Sequence, residues 1–224
     1  MYKIIADEDD FYVISKDAGT PFHSQNGRPG VVANLREDTG RALYAIHRLD
    51  TVTSGLLLLA KSAEAARDLS ELFSKHQVEK YYLAFATGKP RKKSGWIIGD
   101  MKKSRRGQYK LLRSRINPAV TQFFSYSVRP GLRLYLLRPL TGKTHQIRVM
   151  MSSLSTPVIG DTLYGGLAAD RAYLHAWHLA FTYKEKHFMF YSPLMYGEYY
   201  QLPELAALLS KLSPPGKLSW PVNK

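Results

Sequence analysis

His47-Arg48-Leu49-Asp50-Thr51-Val52-Thr53-Ser54-Gly55 runs directly into Leu56-Leu57-Leu58-Leu59-Ala60-Lys61. The first nine residues are mostly polar or turn-forming. The leucine run after them is short, apolar and closed by a charge, as expected of a buried strand fed by a loop. Loops carried on a rigid strand are a common place for reactive groups. This one offers a carboxylate, a guanidinium and several hydroxyls, and the chain has neither cysteine nor a phosphate-cradling glycine loop. Asp50 is therefore the leading candidate for the reactive group.

Composition narrows what Asp50 acts upon. The chain has 224 residues, 45% of them hydrophobic, enough for one substantial core without requiring two. Its 32 Lys+Arg against 18 Asp+Glu give a net charge of +14, so a polyanion is the expected partner. The excess is local. Lys89, Arg91, Lys92, Lys93, Lys102, Lys103, Arg105, Arg106, Lys110, Arg113 and Arg115 lie within one segment that holds a single acid, Asp100. Trp96 and Tyr109 are interleaved with them and offer rings for base stacking. The plainer alternative for residues 89–115 is a solvated, flexible hairpin.

The absence of cysteine removes disulfides, thiolate zinc sites and thiol catalysis together. No apolar run approaches the ~20 residues of a membrane helix, and Met1 to Asp10 has no signal-peptide pattern. A soluble, cytoplasmic protein with no membrane contact is expected.

Periodicity predicts a strand-rich chain. Lys3–Ile5 and Phe11–Ile14 read as a hairpin, and Val31–Asp38 as a short helix closed by Gly40. Ser62 is placed to cap a helix reaching about Lys75, with Ala65, Leu69, Leu72 and Phe73 on one face and a Glu71–Lys75 pair. Glu79–Gly88 reads as a strand whose two faces differ, one filled by Tyr81, Leu83 and Phe85, the other leaving room beside Tyr82. Further strands are expected at 120–128, 132–138, 179–183 and 187–191, with helices at 145–154 and 203–212. Pro214-Pro215-Gly216 reads as a loosely held tail.

A second constellation is Thr141-Gly142-Lys143-Thr144-His145-Gln146-Ile147-Arg148. Apolar residues at 147, 150, 151 and 154 predict a helix whose first turn holds His145 and Arg148. Cations there oppose the helix dipole, so a carboxylate or phosphate is expected nearby. A solvated arginine is one outcome; an arginine fork on Asp50 is the other.

Taken in order, HRLDTVTSGLLLLAKS, EKYYLAFATG, LTGKTHQIRVMM, STPVIGDTLYG and YLHAWHLAF resemble the motifs of RluA-type pseudouridine synthases, and the opening IIADEDDFYVISKDAGTPFH resembles that family's start. The resemblance covers roughly residues 3 to 192. It implies an α+β pseudouridine synthase fold, with a bent, mainly antiparallel sheet flanked by helices and loops around a basic cleft. It further implies a catalytic domain over 1–202, including the basic insertion at 89–115, with 203–224 its C-terminal helix and tail.

The implied activity is isomerisation of a uridine in rRNA or tRNA to pseudouridine by a monomer without cofactor or metal. Residue by residue, the resemblance puts the catalytic aspartate at Asp50, its supporting residues at Tyr82, Arg148 and Leu174, and the arginine that fills the gap of a flipped base at Arg48. His47, Thr53, Lys80, Lys143 and His145 are grouped with Arg48 on the RNA side, and Lys102, Lys103, Arg105 and Arg106 form the basic patch. Met150, Asp17 and Thr156 depart from the family's usual histidine, proline and histidine, which bears on substrate identity more than on chemistry.

An aspartate side chain is ionised at neutral pH and serves as nucleophile or base. Attack on the sugar, addition to the base and removal of a ribose proton all remain open. A paired base cannot reach such a group within a helix, so the uridine must leave the stack. Two rivals stand beside this reading: a catalytically silent RNA-binding or ribosome-assembly factor, and a hydrolase that releases uracil. His175 and His178, with His47 and His145, suggest a metal site only weakly, and HRLD without a glycine loop does not make a kinase.

Overall fold

The computed structural model describes residues 1–25 and 27–222. In chain order the first elements are β1 (Tyr2–Asp7), β2 (Phe11–Lys16), α1 (Val31–Thr39), β3 (Tyr44–Ala45), β4 (Ser54–Ala60) and α2 (Ala63–Ser74). Next come β5 (Glu79–Thr87), β6 (Ser94–Gly99), β7 (Met101–Lys103), β8 (Tyr109–Leu111), β9 (Ala119–Arg129) and β10 (Leu132–Pro139). The last are α3 (Gln146–Ser153), β11 (Leu174–Tyr183), β12 (Lys186–Tyr191) and α4 (Pro203–Leu212). This is the expected mixed α+β class, with a large, mostly antiparallel sheet. By packing, the chain divides into two compact units, Met1–Glu79 with Ala176–Pro193, and Lys80–His175 with Leu194 onward.

In the first unit β2 pairs antiparallel with both β1 and β4, β3 with β4, and β11 with β12. Every residue of β4 is buried, so its leucine run is covered on both faces and shows no polar alternation. Phe11, Val13, Leu56 and Leu58 point into one core with Ala65 and Leu69 of α2 and with Phe181 and Phe188. The helix expected from Ser62 begins as predicted: Ser62 Oγ accepts the Ala65 amide at 3.1 Å. Gly40 ends α1 in the left-handed region at φ 63°.

The second unit places β5, β10, β9 and β6 side by side, all antiparallel, and adds the β7–β8 hairpin. Ala84, Ala86, Phe123, Tyr135 and Leu137 form a face on which Ile147, Met150 and Met151 of α3 pack. The small residues of β5 thus leave room for a helix, and Tyr82 lies half-buried at the edge of that packing.

Three segments differ from expectation. Strand β11 starts at Leu174, not near 179, because burial on both faces gives it histidines without polar alternation. His145 stands just before α3 as its N-cap, in the left-handed region at φ 57°. The expected loose tail is tied down as far as Pro221. Its carbonyl accepts Trp96 Nε1 at 2.8 Å and Gln122 Nε2 at 3.0 Å, and the Trp220 ring lies against Phe124 and Tyr81. Trp96, one of the two rings expected to serve as base platforms, is therefore engaged through its Nε1 by the chain's own tail. Residues 223 and 224 of that tail lie outside the described residues.

Candidate active site

The Asp50 loop belongs to the first unit and is stitched at several points. Thr53 N donates to Asp50 O at 3.0 Å and closes the turn, and Gly19 N donates to Thr51 O at 2.8 Å. Lys16, at the end of β2, is wholly buried, and its Nζ donates to the carbonyls of Asp17 (2.9 Å), Thr20 (2.9 Å) and Thr51 (3.2 Å). A buried ammonium needs such oxygens. They come from the two loops it joins.

Within His47-Arg48-Leu49-Asp50 the residues alternate in role. His47 Nε2 accepts the Leu58 amide at 3.0 Å, and its ring stacks on Phe73 at 4.5 Å, so this imidazole serves the scaffold. Leu49 is buried, as is Thr53 a few residues on. Arg48 is exposed and Asp50 half-buried. Gly55 sits at φ 107° with its Cα against Ala176, whose carbonyl oxygen would lie 2.2 Å from an added Cβ. Only glycine allows β4 to begin there.

The second unit holds the other expected residues. Tyr82 packs at the margin of the cluster that contains Leu174, Ile147, Met150 and Met151, so Tyr82, Leu174 and α3 come together. Lys80 is half-buried, and burial pushes its ammonium below the usual lysine range. Arg148, 5% exposed, donates Nε to Asp161 Oδ2 at 2.7 Å and Nη2 to Asp161 Oδ1 at 2.8 Å. Arg148 thus makes a bidentate fork with Asp161.

The compensating carboxylate expected at the start of α3 is thus present, and sequence reasoning missed its identity. Its signal was the tight turn of Pro157-Val158-Ile159-Gly160-Asp161. Gly160, at φ 82°, lies so close to Arg171 that an added Cβ would meet its carbonyl oxygen at 1.7 Å. The turn delivers Asp161 beneath Arg148 and then Tyr164 onto it, with the guanidinium 4.9 Å from the ring centroid.

Tyr164 is a junction. Its Oη lies 2.8 Å from His145 Nδ1 and accepts the Tyr109 amide at 2.9 Å, while Gln108 of the basic segment donates to the Leu163 carbonyl. The β7–β8 hairpin is therefore docked through Gln108 and Tyr109, although Lys102, Lys103, Arg105 and Arg106 are all exposed. Tyr109 meets His145 edge-on at 5.6 Å, so this second expected base platform is also engaged. Lys143 Nζ donates to Asn117 O (2.6 Å) and Oδ1 (2.9 Å). Gln146, unremarked in the sequence, is buried; it accepts from Thr141 and Lys143 N and donates to Val120 O and Thr121 Oγ1. It fastens the TGKTHQIR loop to β9.

His175 and His178 are buried three apart on β11, where an odd separation sends side chains to opposite faces. Burial pushes the His178 imidazole down to about 4, against an opposing pull from Glu79. Such a histidine is neutral at physiological pH.

A family model described as RNA pseudouridylate synthase matches residues 10–153. The chain belongs to this family. An uncharacterized RNA pseudouridine synthase of Haemophilus influenzae is 47% identical over 184 residues, covering 81% of this chain and 82% of that protein. Ribosomal large subunit pseudouridine synthase C of Vibrio vulnificus is 31% identical over 192 residues, 80% of this chain but 61% of its own length. Tyr82, Arg148 and Asp161 sit on a fold shared with the solved human RNA pseudouridylate synthase domain containing 1, which matches 99% of this chain and 97% of that one at a TM-score of 0.77 and 24% identity.

Proposed function

We infer that this chain is an RNA pseudouridine synthase, an isomerase that converts uridine in RNA to pseudouridine. Its membership of the RNA pseudouridylate synthase family carries the reading, and the half-buried Asp50 on a scaffolded loop supports it. A silent RNA-binding factor would have no use for that loop. The named ribosomal and transfer RNA synthases among the relatives support rRNA or tRNA as the substrate class.

The reaction breaks the N1–C1′ glycosidic bond, turns the uracil, and forms a C5–C1′ bond, with the C5 proton passing to solvent and N1 taking one up, so that product and substrate are isomers. In this proposal Asp50 is the catalytic carboxylate, and Tyr82, Leu174 and Arg148 are its support. Arg48 fills the space of a flipped-out base, with Thr53, Lys80, Lys143 and His145 on the RNA side. His47 is placed with them, and its bond to Leu58 N makes it a positioning residue for Arg48 and Asp50. The exposed cations Lys102, Lys103, Arg105 and Arg106 hold phosphates. We propose further that residues 1–202 act as one catalytic domain, as a cytoplasmic monomer without cofactor or metal, with 203–224 serving it as helix and tail.

The test is tritium release from RNA labelled at uridine C5, using RNA from cells that lack the enzyme. Asp50→Asn should lower release by at least about a thousandfold with RNA affinity and melting temperature unchanged, because the amide keeps size and loses the charge. Activity within about tenfold of wild type would remove Asp50 from the mechanism. Free uracil in place of tritium would make the enzyme a hydrolase.

A further inference from the structure

Ile116 is 93% exposed, the most exposed of the large apolar residues among those described. Single exposed apolar side chains are common and by themselves mean little. This one differs in how its loop is held. Asp100, the only acid among the eleven cations of residues 89–115, spends its carboxylate on the backbone of this loop. Its Oδ2 accepts the Ile116 amide at 3.0 Å and its Oδ1 the Asn117 amide at 2.8 Å. Its own backbone closes the loop from below, Asp100 N donating to Ser114 O at 2.8 Å and Leu112 N to Asp100 O at 2.7 Å. Lys143 fixes the far side through Asn117. Hydrogen bonds from Ser114 and these amides hold the Asp100 carboxyl below the usual carboxylate range, so the clamp persists under mildly acidic conditions.

A β-branched side chain with few rotamers is thus presented to solvent on a fixed turn, with exposed Arg113 and Arg115 immediately before it. An apolar tip on a rigid support, flanked by phosphate-binding cations, is the arrangement by which proteins part stacked bases. A protein partner would find this apolar spot inside a strongly positive surround, which favours a polyanion instead. We propose that Ile116 is a wedge that inserts between stacked bases of the RNA while Arg113 and Arg115 hold the adjoining phosphates. The proposal rests on the reading that RNA is the substrate, and it adds a second contact to the base stack besides Arg48.

The test uses C5-tritiated, protein-free rRNA and tRNA from cells lacking the enzyme. Ile116→Ala should lower kcat/KM about tenfold, leave the melting temperature unchanged because the side chain stands in solvent, and leave the salt dependence of binding unchanged because no charge is removed. Ile116→Leu should restore most of the activity and Ile116→Ser should not. Equal rates for Ile116→Ala and wild type would overturn the wedge, as would a Ser variant as active as the Leu variant. A defect seen only on ribosomal particles and not on naked RNA would likewise overturn it, in favour of a protein contact. If wild type releases no tritium from any of these RNAs, the proposed activity itself fails, an outcome distinct from a wild type that turns over and an Ala variant that matches it.

Discussion

Positive charge is handled in opposite ways by two regions of the same unit. All eleven cations of residues 89–115 are exposed, on the turn before β6, the β7–β8 hairpin and the turn after it. Arg148 is buried, forked onto Asp161, which is 2% exposed, and stacked on Tyr164. Exposed cations add little to stability, are screened by salt and act at a distance, which suits the capture of a polyanion. A buried arginine has the opposite profile. Its energy depends on fixed partners packed around it, and its value is a fixed direction for a guanidinium. The two regions touch at Tyr164, whose hydroxyl accepts the Tyr109 amide of the hairpin while its ring lies under Arg148.

The largest effects that test this contrast lie at the buried pair. Asp161→Asn removes a buried charge partner of Arg148 and should cost ~3 to 5 kcal/mol of stability, read by urea unfolding. Arg148→Lys keeps the charge but loses the fork, and should lower turnover by about a hundredfold at saturating RNA. If both variants unfold and turn over like wild type, the pair does not organise this unit.

The exposed segment should respond differently. Replacing Lys102, Lys103, Arg105 and Arg106 with Gln should weaken RNA binding and reduce the log-log salt slope by roughly 0.7 to 0.9 for each phosphate no longer engaged, while single-turnover rate and melting temperature hold. A fall in the single-turnover rate at saturating RNA would show that the hairpin acts on the site through Tyr164, and would blur the contrast.

The smallest effect concerns pH. The folded-state pKa of His178, about 4, lies below its unfolded value near 6.5. The unfolded chain therefore binds more protons in between, and the stability this histidine contributes, complete above pH 6.5, is lost as pH falls toward 4. The melting temperature should decline across that window, and His178→Phe should flatten the decline. An unchanged slope in the variant would assign the acid sensitivity to other groups.

What could be read from the sequence was what depends on short spacing. The Ser62-capped helix, the β1–β2 hairpin and the buried leucine strand after Asp50 declared themselves through caps and periodicity. Asp161 did not, because the turn at Gly160 marks where the chain bends but not the residue thirteen positions earlier that it meets. Lys16 gave no signal in the sequence, and His47 read as an RNA-side residue, since their partners are amides and carbonyls of distant residues. Trp96 and Tyr109 were read as exposed rings because their neighbours come from Pro221 and His145, far along the chain.

Lys16 carries a consequence of its own. Its ammonium already donates to three carbonyls and has no access to solvent. An acylating reagent can reach that nitrogen only when the segment around Thr51 swings away. Its rate of acylation, compared with that of the exposed lysines on the same molecule, is then a clock for local opening. Mass spectrometry of the labelled peptide would report how often the loop bearing Asp50 comes undone while the rest of the protein stays folded.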